Sequence, residues 1–300
     1  MILEDNLYKK PRKFERGGIL AKKSLLKSKV LCVVNPKGGQ AKTFSALSLA
    51  AEACYRGGGK KKILLVDADP SFDATKFSIE LDDEVLTSVT ELPYTLADCL
   101  KDPSFDVNKA IYGCSTQFPG LQILAGSSLL DEPEKAFGHR KNIETVLKRM
   151  LSNLEYDLII IDTPANMGLM TQIALVAADA YVSPSELELG GLDGIMKIFN
   201  KINTFIDEEV LEESPKFVGF FLTKVEPRTK EYRIGKEQLN GLIKAKVFKK
   251  GDLILEIPKA ASSKEARWFA TTLQFNRTNP ICKLYAKIFN RILETLKIKF

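Results

Sequence analysis

Short apolar runs alternate with longer amphipathic stretches through most of this 300-residue chain. The runs are three to six residues long, too short and continuous for surface helices, and are typical of buried parallel strands. The stretches between them have the period of amphipathic helices. Strands are predicted at 30–34, 63–66, 121–125, 158–161, 180–182 and 217–222, and helices at 43–56, 138–153, 167–177, 189–206, 229–245 and within 281–300. This alternation predicts an α/β fold: a doubly wound, mostly parallel sheet flanked by helices.

Composition and cysteine usage narrow the class of protein. Hydrophobic residues make up 45% of the chain and charged residues 27%, which is typical of a globular protein and not of a disordered one. No run reaches the ~18–20 apolar residues of a membrane-spanning helix, and the charged amino terminus lacks the apolar core of a secretory signal. The five cysteines are scattered, and His139 is the single histidine. We therefore expect no disulfide framework, no cysteine zinc site and a cytoplasmic location.

Positive charge is concentrated in two segments. Residues 1–29 hold nine Lys or Arg against three Asp or Glu, a surplus equal to the net charge of +6. Residues 224–250 again hold nine basic and three acidic residues. Such segregation is typical either of a solvated basic surface or of patches that meet phosphate or anionic lipid. We expect residues 1–28 to form a short basic amino-terminal arm and residues 29–300 to form one domain.

The strongest functional signal directly follows the first predicted strand, in residues 35–43, which read NPKGGQAKT. A strand, a glycine-containing turn and a helix start gather backbone N–H groups around one point, where the helix dipole adds partial positive charge. This arrangement suits a phosphate chain, with Lys42 reaching the β- and γ-phosphates and the Thr43 hydroxyl binding Mg²⁺. The ordinary P-loop pattern fails at Pro36 and Ala41, whereas the deviant pattern KGGxxK[ST] fits completely.

Acidic residues follow two other predicted strands. Asp67 and Asp69 come after the run at 63–66, and Asp162 ends the run at 158–161. Because ligands of open parallel sheets lie outside the carboxyl ends of the strands, we expect these acids and the glycine-containing loop to share one crevice. Asp162 is placed to hold Mg²⁺ through water, and Asp67 to support Mg²⁺ and Thr43. Asp69 is placed to orient an attacking water.

The motifs NPKGGQAKT, ILLVDADP and LIIIDTPAN resemble the three nucleotide motifs of the ParA/MinD superfamily of deviant Walker A ATPases. Residues 169–195, 217–230 and 257–266 are similar to later segments of ParA-type partition proteins. The resemblance implies that Lys37 is a signature lysine, which contacts nucleotide phosphates across an ATP-sandwich dimer. It implies a catalytic set of Lys37, Lys42 and Asp69, and an ATP-binding set formed by Lys37, Gly38, Gly39, Gln40, Ala41, Lys42, Thr43 and Phe44.

The same resemblance implies a partition function. A Mg-ATP-driven homodimer would bind double-stranded DNA without reading its sequence and would gather on the nucleoid. Slow ATP hydrolysis, stimulated by a ParB-like centromere-binding partner, would reset the dimer. The segment IPKAASSKEA suggests DNA contacts by Lys259, Lys264 and Arg267. The nucleotide motifs depart from the family pattern at Ala41, Phe44, Ser71, Ala165 and Asn166, but the charged and Mg²⁺-binding groups are present. Ser262 stands where the family often has Arg, so Lys259, Lys264 and Arg267 would supply that charge instead.

Three alternative functions are weighed against partition. A MinD-like positioning ATPase would use the final helix as a reversible membrane anchor, whereas a helix packed on the sheet would leave no such anchor. The final helix of this chain has an apolar stripe, which we expect to pack on the sheet. The stripe comprises Ile281, Leu284, Tyr285, Ile288, Phe289, Ile292, Leu293 and Leu296. A metabolic enzyme of the nitrogenase-reductase or amidoligase kind would need bridging cluster cysteines or a glutamine-amidotransferase Cys/His set. The sequence shows neither. A binding module with a dead ATP site is opposed by the intact lysines and acids.

Overall fold

The apolar runs lie side by side in one twisted sheet. A computed structural model describes residues 28–79, 92–102, 104–114, 118–132, 137, 142–187, 191–259 and 280–300, and these contribute eight strands. The strands are β1 (Lys29–Val33), β2 (Ile63–Asp67), β3 (Ile111–Gly113), β4 (Leu121–Leu124), β5 (Leu158–Asp162), β6 (Ala180–Ser185), β7 (Lys216–Val225) and β8 (Leu253–Pro258). Their order is β3-β4-β2-β5-β1-β6-β7-β8, with only the β3–β4 pair antiparallel. The predicted α/β fold is confirmed.

Helices pack on both faces of this sheet. They are α1 (Lys42–Gly57), α2 (Asp73–Ser78), α3 (Leu96–Lys101), α4 (Val146–Leu151), α5 (Leu169–Ala177), α6 (Gly191–Asp207), α7 (Lys230–Lys244) and α8 (Pro280–Leu296). Successive strand side chains point to opposite faces. Leu31 and Val33 of β1 pack with residues of α1 and α8, while Cys32 packs with residues of α5 and α6. Both faces of each central strand are therefore buried, which explains why the runs are continuously apolar.

Some elements differ from those predicted. The edge strands β3 and β8 were not predicted, and both are half-buried along most of their length. The helix predicted at 138–153 spans only Val146–Leu151 in the described residues, after a 3-10 turn at Ile143–Thr145. Residues 138–141 lie outside the described part of the chain.

Ser28, the last residue of the predicted arm, is the first residue that the structure describes. Residues 1–27 of the arm lie outside the described residues. Ser28 itself is buried, donates from its hydroxyl to the Leu154 carbonyl oxygen at 2.6 Å and accepts from the Tyr156 N–H at 2.9 Å. The first described residue is thus hydrogen-bonded to the segment that precedes β5.

The carboxyl-terminal helix α8 is part of the core, as its apolar stripe predicted. Tyr285, Ile288 and Phe289 are fully or almost fully buried against α1 and the sheet. The Tyr285 hydroxyl lies 2.9 Å from Oγ of Ser45 on α1. Within the described residues, no helix is long and apolar enough to cross a membrane. The apolar face that the membrane-anchor alternative requires is therefore occupied by the protein's own core.

Truncating this core face should destabilise the domain. Ile288→Ala removes a side chain with no exposed surface, and we expect it to lower the free energy of unfolding by about 2–5 kcal/mol. Lys287→Ala, on the exposed side of the same helix, is the matched control and should change it by less than about 0.5 kcal/mol. Urea unfolding of the two variants measures the difference. Equal, small losses would mean that α8 is not packed on the sheet.

Candidate nucleotide site

The three predicted motifs converge at the carboxyl ends of adjacent strands. The sheet places β1 beside β5, and β5 beside β2. Asp162 at the end of β5 pairs in register with Val33 of β1 on one side and with Asp67 of β2 on the other. The loop after β1 therefore lies over both acids, as expected for a ligand crevice at this edge of a parallel sheet.

The loop after β1 opens directly into the amino terminus of α1. Gly39 has a φ of 77° and Ala41 a φ of 61°, so the chain turns through the left-handed region twice within three residues. Glycine adopts this region freely, whereas alanine incurs a steric penalty there. Ala41, the N-cap residue, makes no side-chain hydrogen bond to the first turn of α1, and no acidic residue lies in that turn. The N–H groups of that turn and the positive end of the helix dipole are thus available to an anion.

Lys42, the first residue of α1, is a buried cation inside this turn. Its side chain is almost entirely covered, and its Nζ donates to the carbonyl oxygen of Lys37 at 3.2 Å. Burial lowers the pKa of Lys42, while the charges of Asp162 and Asp69 oppose that shift. The ammonium therefore lies between the loop backbone and the acids.

The Asp162 carboxylate is fully buried beside the Thr43 hydroxyl and Lys42. Both carboxylate oxygens are inaccessible and have no hydrogen-bond partner within the described structure. Burial and the neighbouring Asp67 carboxylate raise the pKa of Asp162 well above its usual value, against the opposing effects of the Thr43 hydroxyl and Lys42. A buried polar group without a partner is costly. A divalent cation held through water between Asp162 and Thr43 would supply the missing partner, so the donor set fits Mg²⁺.

Asp67, in contrast, is fully hydrogen-bonded. Its Oδ2 accepts from the backbone N–H and the hydroxyl of Thr75 at 2.8 and 2.7 Å, and its Oδ1 accepts from the Asp69 N–H at 3.2 Å. Burial raises the pKa of Asp67 to about 7. A Cβ at Gly126 would lie 2.8 Å from Cγ of Asp67, so only glycine fits there. Thr75 and Gly126 were not predicted, because their contacts with Asp67 span eight residues or more of the chain.

Asp69 lies at the edge of the crevice. It is half-buried, and its Oδ1 accepts from the Ser71 N–H at 2.9 Å. It borders an open cleft of about 540 Å³ together with Pro70, Ser71, Ser128, Asp131, Pro164, Ala165 and Asn166. A carboxylate at this position faces space in which a water molecule can lie.

The other predicted loop residues take different positions. Gly38 and Gly39 are exposed, and Lys37 is half-buried. Gln40 is buried and accepts at its Oε1 from the Glu186 N–H at 2.6 Å. The ring of Phe44 packs edge-on against Tyr285 at 5.7 Å, which leaves the Phe44 backbone N–H as the group that can face a phosphate.

The predicted DNA-contact residues are described only in part. Lys259 follows β8, is about half exposed and forms an ion pair with Glu226. Lys264 and Arg267 lie outside the described residues. The basic segment 224–250 includes α7, on which Lys230, Arg233 and Lys244 are exposed. A phosphate approaching Lys259 has to compete with Glu226.

The described residues contain no dedicated metal cluster. No group of three or more His, Cys, Asp or Glu side chains converges in those ranges. Mg²⁺ commonly binds to one or two carboxylates, waters and substrate phosphates instead of an all-protein cage. The pair of acids beside Thr43 matches that kind of site.

Comparison with protein families and curated relatives identifies the class. The family described as AAA domain matches residues 28–214. The sporulation initiation inhibitor protein Soj of Bacillus subtilis is 32% identical over 204 residues, which cover 67% of this chain and 74% of Soj. The chromosome partitioning protein ParA of Myxococcus xanthus is 29% identical over 222 residues, 73% of each chain.

Solved structures agree in fold. A putative plasmid partition protein of Borrelia burgdorferi bound to AMPPNP superposes with a TM-score of 0.69 over 89% of this chain and 99% of its own, at 20% identity. The cobyrinic acid a,c-diamide synthase of Mycobacterium smegmatis, bound to ADP and magnesium, has a TM-score of 0.61 at 26% identity over 84% of this chain and 96% of its own. The chain belongs to the AAA-domain family and, within it, to the ParA-type partition ATPases of the ParA/MinD deviant Walker A superfamily.

Proposed function

We propose that this protein binds ATP with Mg²⁺ at the crevice over β1, β2 and β5, and works as a DNA partition switch in the cytoplasm, on the nucleoid. The observation that carries the nucleotide site is the joint placement of an uncapped helix start and a buried, unpartnered Asp162. The first is suited to phosphate and the second to a cation. Together they match a phosphate chain that carries its own metal ion.

The loop residues have different roles in nucleotide binding, according to their positions. The backbone N–H groups from Gly38 to Phe44 surround the phosphates, and Lys42 reaches the β- and γ-phosphates from within the same protomer. Thr43 and Asp162 would hold Mg²⁺, with Asp67 supporting the site. When bound, Mg²⁺ neutralises charge on the phosphate oxygens.

Hydrolysis adds a requirement for an oriented water and for charge stabilisation. Asp69 orients the attacking water from the edge of the cleft. Phosphoryl transfer accumulates negative charge on the transferred oxygens, which preorganised N–H groups and Lys42 stabilise. Lys37 reaches the nucleotide across the interface of an ATP-dependent homodimer. We expect weak intrinsic turnover, stimulated by a ParB-like centromere-binding partner that resets the dimer.

DNA binding depends on three basic residues that follow β8 in the sequence. Lys259, Lys264 and Arg267 meet phosphates without reading sequence, and dimer closure joins two such patches into one larger surface. ATP therefore controls DNA affinity by controlling the dimer.

The test of this switch is a charge reversal. Replacing Lys259, Lys264 and Arg267 together by Glu should lower the affinity for random duplex DNA at least tenfold. Each lost phosphate contact means that fewer condensed counterions are released on binding, so the affinity should also depend less steeply on salt. ATP turnover without DNA should stay near the parent value. Electrophoretic shifts with ATP, ADP and no nucleotide measure both the affinity and its nucleotide dependence.

A matched control reverses the same charge elsewhere. Lys60, Lys109 and Lys148 are exposed, and their joint replacement by Glu should leave DNA binding close to the parent value. The arm also carries positive charge, so the series is repeated on a chain that starts at Lys29. If the shortened chain binds DNA equally with ATP, ADP or no nucleotide, the proposal that ATP controls DNA binding is wrong. If it binds no DNA, the contact belongs to the arm.

A further inference from the structure

Lys224 connects the end of β7 to the nucleotide loop. Its Nζ donates to the carbonyl oxygen of Gly39 at 2.7 Å and forms an ion pair with Glu186 at 2.5 Å. The N–H of Glu186 donates in turn to Oε1 of Gln40 at 2.6 Å. Two successive loop residues are therefore held from the ends of the two neighbouring strands β6 and β7.

The backbone of Lys224 adopts a conformation that a lysine rarely takes. Its φ is 52°, in the left-handed region that favours glycine and asparagine. Such residues persist where surrounding contacts hold them, and they concentrate at functional sites. A Cβ added to Gly39 would lie 3.9 Å from Nζ of Lys224, so the ammonium sits directly over that glycine.

We infer that Lys224, paired with Glu186, is a positioning residue that fixes the Gly39 peptide of the loop before nucleotide arrives. Gly38 and Gly39 are exposed and, as glycines, are free to rotate when nothing holds them. Ordering a mobile loop on binding costs affinity, and a loop held in place beforehand avoids that cost. Lys224 acts through Gly39 and not through a phosphate. This role rests on the ATP site proposed above and adds to it a residue outside the nucleotide motifs.

The sharpest variant keeps the backbone and removes the ammonium. Lys224→Asn suits the left-handed conformation, which offsets part of the stability lost when Glu186 loses its ion pair, so the thermal midpoint should change little. We expect ATP affinity, titrated calorimetrically with Mg²⁺, to fall about tenfold, the effect of losing one charge-assisted hydrogen bond. Lys246 is exposed and has a φ of 59°, so Lys246→Asn makes the same backbone change away from the loop and should bind ATP like the parent.

Two further variants separate positioning from a general structural role. Lys224→Arg keeps a cation that can donate to Gly39 and should recover most of the lost affinity. Glu186→Gln should weaken ATP binding. Combining it with Lys224→Asn should add nothing to the loss from Lys224→Asn alone, since both changes break the same Lys224–Glu186 ion pair. In turnover assays, the KM of Lys224→Asn should rise by a larger factor than kcat falls.

The outcomes distinguish this inference from the proposed function. A Lys224→Asn variant with parent affinity, or an equal loss in Lys246→Asn, overturns the positioning role while the ATP site stands. A fall in thermal midpoint without rescue by Lys224→Arg assigns Lys224 a structural role instead. A parent protein that binds no ATP overturns the proposed function, and the positioning role with it.

Discussion

Replacing Lys42 with alanine should abolish detectable ATP binding. The Lys42 ammonium is the cation of the loop that is buried near the acids. In the proposed site it donates to two phosphates. Each charge-assisted hydrogen bond contributes about 1.5–3 kcal/mol, so losing two corresponds to roughly a 10²–10⁴-fold weaker complex. Calorimetric titration with Mg-ATP measures the loss.

The fold of this variant should persist, because alanine is the best helix former and the change removes a buried amine. Circular dichroism checks that expectation, and Lys60→Ala, at an exposed position, is the matched control for removing a lysine. Near-normal ATP affinity in Lys42→Ala would remove the P-loop assignment altogether.

Asp69→Ala should separate binding from hydrolysis. The phosphates are held by the loop and by Lys42, so ATP should still bind. Turnover should fall about 10²–10⁴-fold, the usual loss when a group that handles the attacking water is removed. In the proposed switch the dimer resets only through hydrolysis, so we expect the variant to accumulate as an ATP-bound dimer. Turnover assays and size-exclusion chromatography with ATP measure both effects.

Two other variants test whether the effect of Asp69→Ala comes from a change in the local structure around Asp69. Asp69→Asn keeps an oxygen acceptor for the Ser71 N–H and should show the same loss of turnover as Asp69→Ala. Asp73→Ala removes a nearby carboxylate that pairs with Lys76 and should keep turnover near the parent value. If Asp69→Ala hydrolyses ATP at the parent rate, Asp69 is structural and another group handles the water.

The central strands and the long helices were predictable because their patterns are local. The run at 158–161 is apolar on both faces, and β5 is buried throughout. β3 is only three residues long and half-exposed, so it has no clear local signature. β8 reads LILEIP, an apolar run that could have been predicted as a strand and was missed. Edge strands bury less surface, and less of their sequence is constrained by burial.

The candidate site was predictable where its residues follow strand ends. Lys42, Asp67 and Asp162 lie together because parallel strands end at one edge. Gly126 and Lys224 were not predictable from such patterns. Gly126 is required by the Asp67 side chain, and Lys224 lies 185 residues after its acceptor Gly39. A glycine right after the apolar run ending at Ala125 was the one local signal, and it indicates only a turn or a close approach.

The packing of α8 on α1 also bears on how the protein matures during synthesis. The hydroxyls of Ser45 and Tyr285, which meet between these helices, are 240 residues apart in the chain. At about 5–20 residues per second, α1 leaves the ribosome roughly 12–48 seconds before its covering helix. During that interval the apolar side of the helix that begins with Lys42 and Thr43 lacks its partner. Nascent chains should therefore acquire nucleotide affinity only late, so we expect incompletely synthesised protein to stay out of the proposed switch.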